Sequence, residues 1–348
     1  MTTKSNFEGE IFQQPDVIRR LLETKNESTA QIASELNRRN VRFAIVAARG
    51  TSDNAARYTK YMLGAYKKLP VGLAMPSLYT LYEQPVDMHD CLVIGISQSG
   101  QSTDVVAVLQ EARRQNAPTL AITNFPDSPL AEAADYDIIL DVGEEKSVAA
   151  SKTYTAQLTA TAMLTAYWSA SQELREDLHR LPVLLQEALE RAAAAETIAQ
   201  EMAEKERLVV IGRGYNYCTA LEVGLKIKEL SYISAQAYSS ADFRHGPVAL
   251  LQPGFPVIAI APLGKTSNDM RGMIADIHRI GADQVVITND PELSAAGTHL
   301  IRLPDHLPEW LSPIVGVIPG QLLALHLAQA KGLDVDHPRG LHKVTLTV

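Results

Sequence analysis

The residues best placed for acid–base chemistry lie together in Ala220–Glu229, where Glu222, Lys226 and Glu229 are spaced i, i+4 and i+7 on one predicted helix. That spacing puts all three on one face. A solvent-facing ladder of ion pairs would produce the same pattern. The neighbours argue otherwise. Leu221, Val223, Leu225, Ile227 and Leu230 make the helix apolar around most of its girth, so the face is expected to be buried. A buried carboxylate beside a lysine is costly unless paired, and such groups tend to have tuned proton affinity, which makes Glu229 a candidate base.

Further along, Phe243-Arg-His-Gly-Pro247 places His245 in a loop stiffened by Gly246 and Pro247. Imidazole transfers protons near neutral pH, although a lone histidine more often has no catalytic role. Ser97-Gln98-Ser99-Gly100-Gln101-Ser102-Thr103 forms a different kind of candidate. It joins an apolar run, Cys91 to Ile96, to a helical pattern from Asp104, so unpaired helix N–H groups and hydroxyls face one turn. Such a turn suits a phosphate. In Glu144-Glu145-Lys146 and the following Ser147–Lys152, Ser151 reads as a helix cap and the charges as solvated. Lys343, the last charged residue, reads as solvated by default.

These residues need a scaffold, and the chain repeats one. Ala121-Ile-Thr-Asn124 recurs as Val286-Ile-Thr-Asn289, 165 positions later. Asp104 and Asp269 keep that offset, as do Ala117 and Ala282, and Val41–Gly50 aligns with Arg207–Gly214, each strand ending in Arg-Gly. Each half alternates strand, polar loop and helix, which predicts an α/β fold with a parallel sheet covered by helices. Ligands bind at the carboxyl ends of such strands, where the Gly and Ser loops fall. The expected organisation is a helical segment over 1–40, with its helical pattern from Pro15 to Arg39, domains at 41–170 and 205–335, a helical linker over 171–204, with its pattern from Leu181 to Lys205, and a carboxyl tail over 336–348 that reads as a loop followed by a β-like end. Thr29–Leu36 faintly resembles the first helix of a helix-turn-helix, but a strand follows, so no recognition helix is available.

Composition bounds the function classes. At 348 residues, with 46% hydrophobic and 21% charged residues, the chain is globular and long enough for two cores. A net charge of −8 and no basic stripe predict no nucleic-acid partner, and require an anionic ligand to be held by local dipoles. Only Cys91 and Cys218 occur, both expected in the core, which fits a reduced cytoplasmic setting. No Cys or His pair has metal-ligand spacing. No signal peptide is read at the amino end, and Leu311–Ala330 reads as a buried helix rather than a membrane span.

Taken in order, Gly50-Thr-Ser52, Ser97-Gln-Ser-Gly100, Val148-Ala with Ser151-Lys152, Leu221-Glu222 through Lys226 to Glu229, His245-Gly-Pro247, and Asp336 through Pro338-Arg339 to Lys343 resemble the sugar isomerase (SIS) domain family. More closely, they look like the isomerase half of the glutamine–fructose-6-phosphate aminotransferases. The resemblance implies two tandem SIS domains, each a flavodoxin-like parallel sheet with helices on both faces, and usually a homodimer. It implies that Ser52, Ser97, Gln98, Ser99, Ser102, Val148, Glu145 and Glu222 bind substrate, a sugar phosphate. It implies that Glu229 moves a proton between the first two sugar carbons, with Lys226 and Glu222 assisting. His245 would open the ring of a sugar bound in the neighbouring subunit, and Lys343 would contact the open sugar and form a Schiff base with its carbonyl. Two positions depart from the family: Ala150 replaces a serine, losing a hydroxyl, and Ser102 replaces a threonine, keeping one.

Some forty residues precede the first predicted strand, which leaves no space for a glutaminase domain, and the expectation drawn is a chain that does not make ammonia from glutamine. The same chemistry run in reverse resembles the isomerase-type glucosamine-6-phosphate deaminases, without metal or organic cofactor. The alternatives are another phosphosugar isomerase, a deglycase, an aminotransferase-type isomerase subunit, or a non-catalytic sugar-phosphate sensor. A sensor needs the Ser97–Ser102 turn but has no use for Glu229, His245 and Lys343 together.

Overall fold

The computed structural model describes residues 4–293 and 299–343. The chain opens with helices α1 (Asn6–Phe12), α2 (Gln14–Thr24) and α3 (Asn26–Arg38). The hydrophobic pattern predicted helix only from Pro15. The additional helix, α1, is short and starts at Ser5, whose Oγ accepts from the Glu8 N–H at 3.1 Å.

The first sheet follows, with β1 (Phe43–Ala48), α4 (Thr51–Met62), β2 (Val71–Leu73), α5 (Ser77–Thr80), β3 (Cys91–Ile96), α6 (Thr103–Arg114), β4 (Thr119–Thr123), α7 (Pro129–Glu132) and β5 (Tyr136–Ile139). All pairings are parallel, in the order β2-β1-β3-β4-β5. β3 and β4 are buried at every position, which is why their sequences run apolar without alternation. Gly95 belongs to this packing: a Cβ there would lie 2.8 Å from Leu109 and Leu130.

Helices α8 (Lys152–Trp168), α9 (Gln172–Arg191) and α10 (Ala194–Met202) lead to the second sheet. Its elements are β6 (Arg207–Gly212), α11 (Tyr217–Ser231), β7 (Ser234–Ser239), α12 (Ser240–Arg244), β8 (Pro256–Ile260), α13 (Ser267–Ile280), β9 (Asp283–Thr288), β10 (His299–Arg302) and α14 (Ser312–Ala330). The order β7-β6-β8-β9-β10, again all parallel, matches the first sheet strand for strand. It is the flavodoxin-like succession expected of both halves.

The duplication extends to side chains. Arg49, after β1, donates through Nε to Asp104 in the first turn of α6 at 2.6 Å. Arg213, after β6, lies 3.8 Å from Asp269 in the first turn of α13. Asn124 and Asn289 likewise each donate to a backbone carbonyl beyond the last strand of their sheet, at 2.9 and 3.1 Å.

Two compact units result. One draws on Met1–Pro15, Lys146–Ser151 and Leu181–Leu341, the other on Asp16–Glu145, Lys152–Arg180 and His342–Val348. The first unit therefore holds the second sheet together with α1 and a strap, Lys146–Ser151, cut out of the first half. Within it α14 packs on α11, and Gly320 makes room at the crossing, since a Cβ there would collide with Val223. The segment Glu309–Ala330 is long and apolar enough to cross a membrane, yet 94% of its most apolar stretch is buried inside the protein, as read from Leu311–Ala330. Both thiols are buried as well, and burial pushes the Cys91 thiol up to about 11, so it is not a nucleophile near neutral pH.

Candidate active site

In the unit built on the first sheet, the serine turn and Ser52 sit past the carboxyl ends of the neighbouring strands β3 and β1. Gly100 has φ +65°, and a Cβ there would collide with the Ser128 side chain. Only glycine fits. The turn is wound on its own hydroxyls. Ser97 Oγ accepts from the Gly100 N–H and Ser99 Oγ from the Gln101 N–H, each at 3.2 Å. Ser97 and Ser102 hydroxyls lie 3.3 Å apart, while the Gln98 carbonyl accepts from the Asn124 N–H at 3.1 Å. A hydroxyl that accepts one bond keeps its proton to donate, so this turn can offer O–H groups to an anion. The buried Asp104 carboxylate beside it is balanced by Arg49 and by the positive end of α6.

Gly100→Ala tests the turn. A left-handed residue with a Cβ costs roughly 1–3 kcal/mol and the collision adds to it. Urea denaturation should show a loss of at least about 1 kcal/mol. Unchanged stability would mean the turn tolerates another backbone path.

Ser52 is buried and accepts at Oγ from Gln157 Nε2 of α8 at 2.9 Å, so its proton is also left to donate. Gln157 was not visible as a site residue in the sequence, where it is one polar side chain among the threonines, alanines and apolar residues of its helix.

Glu145 corrects the reading of its segment as solvated charge. Glu144 and Lys146 are exposed, but Glu145 is buried. One carboxylate oxygen accepts from the Thr153 N–H in the first turn of α8 at 3.1 Å, the helix end for which sequence pointed to Ser151. Its other oxygen accepts from Lys343 Nζ at 2.9 Å, so Lys343 is not the freely solvated residue of the default reading. Residues 344–348, expected to continue as a β-like tail, lie outside the described residues.

In the other unit, the predicted helix face is α11 and it is buried. The Glu222 and Lys226 side chains are 0% and 1% exposed, against 22% for Glu229. Lys226 Nζ donates to Glu229 Oε2 at 2.5 Å and lies 3.5 Å from Glu222 Oε1. One buried ammonium thus bridges two carboxylates, of which Glu229 alone is open to a ligand. The helix ends at Tyr232, with φ +58°. Tyr232 Oη accepts from the Arg339 N–H at 2.6 Å and the Arg339 guanidinium stacks 4.6 Å from the ring centroid, anchoring the tail that carries Lys343.

His245 caps the carboxyl end of α12 and is exposed, and its imidazole makes no hydrogen bond among the described residues. Val148 is half-buried in the strap. Among the described residues no cluster of three or more His, Cys, Asp or Glu side chains is arranged to hold a metal.

Two stretches, 38–167 and 201–330, match the SIS domain family model and together make up most of the chain. The chain belongs to the SIS domain family. A glutamine–fructose-6-phosphate aminotransferase (isomerizing) from Thermococcus kodakarensis is 37% identical over 344 residues, covering 96% of this chain and 56% of its own. The SIS chain thus spans about half the length of the curated relatives it matches. The solved C-terminal domain of glucosamine-fructose-6-phosphate aminotransferase from Francisella tularensis superposes with a TM-score of 0.87 at 28% identity, covering 97% of this chain and 99% of that one. A glucosamine-6-phosphate deaminase from Thermotoga maritima shares the fold, with a TM-score of 0.78 at 19% identity over 99% and 100% of the two chains. The similarity is therefore to the isomerase part of such aminotransferases, over nearly the whole of this chain.

Proposed function

We propose that this SIS protein converts glucosamine-6-phosphate to fructose-6-phosphate and ammonia by aldose–ketose proton transfer. The buried Glu222–Lys226–Glu229 face, opening at Glu229 alone, carries the reading. A sensor gains nothing from an ammonium and two carboxylates buried on one helix, whereas proton transfer needs a base held in place by such a neighbour.

In this mechanism the serine hydroxyls of the Ser97–Ser102 turn, with Ser52, take the phosphate and sugar hydroxyls. His245, acting in a second copy of the chain as the resemblance implies, opens the ring. Glu229 removes the proton from C2 of the open aldehyde while the aldehyde oxygen takes up a proton given up by the C2 ammonium, giving an enolamine, and Glu229 then returns its proton to C1. C1 becomes a hydroxymethyl group and C2 an iminium. Water then adds to C2, the C–N bond breaks, and ammonia leaves. Lys226 holds the Glu229 carboxylate in place throughout, and Lys343 contacts the open sugar.

A second reading has its own support: the 37% identity to aminotransferases favours the reverse direction, from fructose-6-phosphate with ammonia supplied. One experiment addresses both. Purified protein is incubated with glucosamine-6-phosphate, then separately with fructose-6-phosphate and ammonium, following ammonia and both sugars. Ammonia and fructose-6-phosphate from the first mixture are expected. No turnover of any amino sugar phosphate in either direction rejects the proposal.

A further inference from the structure

The most buried carboxylate of the amino-terminal segment has no place in that mechanism. Glu10 of α1 is 4% exposed, and its two oxygens are spent on the strap. Oε1 accepts from the N–H groups of Lys146 and Ser147, and Oε2 from the Ser147 hydroxyl. The other end of the strap is tied to the same segment. Gln321 Nε2 donates to the Ser151 carbonyl at 3.4 Å, and Gln321 Oε1 accepts from Gln14 Nε2 at 2.8 Å, with both glutamines fully buried. The segment is itself fixed by the tail: Asp336 accepts from the Asn6 and Phe7 N–H groups at 2.8 and 3.0 Å, at the start of α1.

The strap has no regular secondary structure. Left to itself, each of its residues would lose backbone freedom on binding a ligand, at roughly 1–2 kcal/mol per residue. A buried carboxylate bonded to consecutive amides removes that freedom beforehand, through charge-assisted bonds that neutral groups would make less strongly. The strap includes Val148, placed at the sugar by the resemblance, and Ala150, where a hydroxyl contact is lost. We infer that Glu10 is a positioning residue, holding Lys146–Ser151 in its ligand-ready path through the amides of Lys146 and Ser147. The inference rests on the proposed function, because it needs the strap to touch substrate.

Its loss therefore acts on binding rather than on the proton-transfer step. Glu10→Gln keeps size but removes the negative charge that strengthens all three bonds, and turns the Ser147 hydroxyl from a donor to the side chain into an acceptor from it. The expected KM for glucosamine-6-phosphate rises about tenfold, the scale of one lost charge-assisted bond, with kcat within about twofold. Amide exchange at Lys146 and Ser147 accelerates about tenfold or more. Ser147→Ala, which removes the hydroxyl's contacts with Glu10 and with the Ala149 carbonyl but leaves both amide bonds, is the gentler variant if Glu10→Gln folds poorly, with the same direction expected. Glu8→Gln on the same helix leaves KM unchanged. Inactive wild-type protein overturns the functional reading and this inference with it. Active wild type whose folded Glu10→Gln and Ser147→Ala variants keep both KM and amide protection overturns the inference alone. Lost protection with KM unmoved does the same, since it reduces Glu10 to a structural role.

Discussion

Glu229→Gln is expected to bind glucosamine-6-phosphate as wild type does and to lose turnover by about 10²–10⁴-fold, the range general-base catalysis contributes. The amide is nearly the same shape as the carboxylate, and its oxygen can still accept from Lys226 Nζ, so folding and ground-state contacts survive. What disappears is the capacity to take the C2 proton. Isothermal titration with the sugar phosphate should give an unchanged affinity, while the coupled ammonia assay falls. Proton exchange provides an independent reading: wild-type protein in deuterated water should introduce deuterium at C1 of the product, and the variant should not. Full activity in Glu229→Gln would remove Glu229 from the reaction and leave the proposed mechanism without its base.

How much of this was legible beforehand depended on where each residue's partners lie in the chain. The strands of both sheets were readable because buried parallel strands are written as continuous apolar runs, and the serine turn because its glycine and hydroxyls interrupt one such run just before a helix. The α11 face was readable because its partners are three and four residues away. Glu145 was misread as solvated because its partner Lys343 is 198 residues distant, and only folding brings the pair to the start of α8. Glu10 was invisible for a related reason: it bonds mainly to backbone amides 136 and 137 positions along, and backbone amides leave no mark in a sequence. Helix α1 was missed because seven residues with a central glycine carry too little periodicity to register. The repeat was visible as an offset, but that its Arg-Gly and Asp members meet as Arg49–Asp104 and Arg213–Asp269 is information about space.

Lys226 is where stability and chemistry are most closely joined, and replacing it is expected to cost the most. In Lys226→Met the methylenes are largely retained, but the cation facing Glu222 is removed from a site where both side chains are 1% exposed or less. Breaking a buried pair from one side typically costs about 3–5 kcal/mol, because the remaining charge has been taken out of water. Urea denaturation should therefore show a loss of that order, with a shift too large for a surface pair. A compensated variant separates the two roles. Lys226→Met with Glu222→Gln removes both charges, so most of the stability is expected to return. Activity is not, because Glu229 would then have lost the ammonium that holds its carboxylate at 2.5 Å. Recovery of stability without turnover would place Lys226 in the catalytic apparatus as well as in the core. Recovery of both would leave Lys226 a structural counter-ion with no part in the reaction.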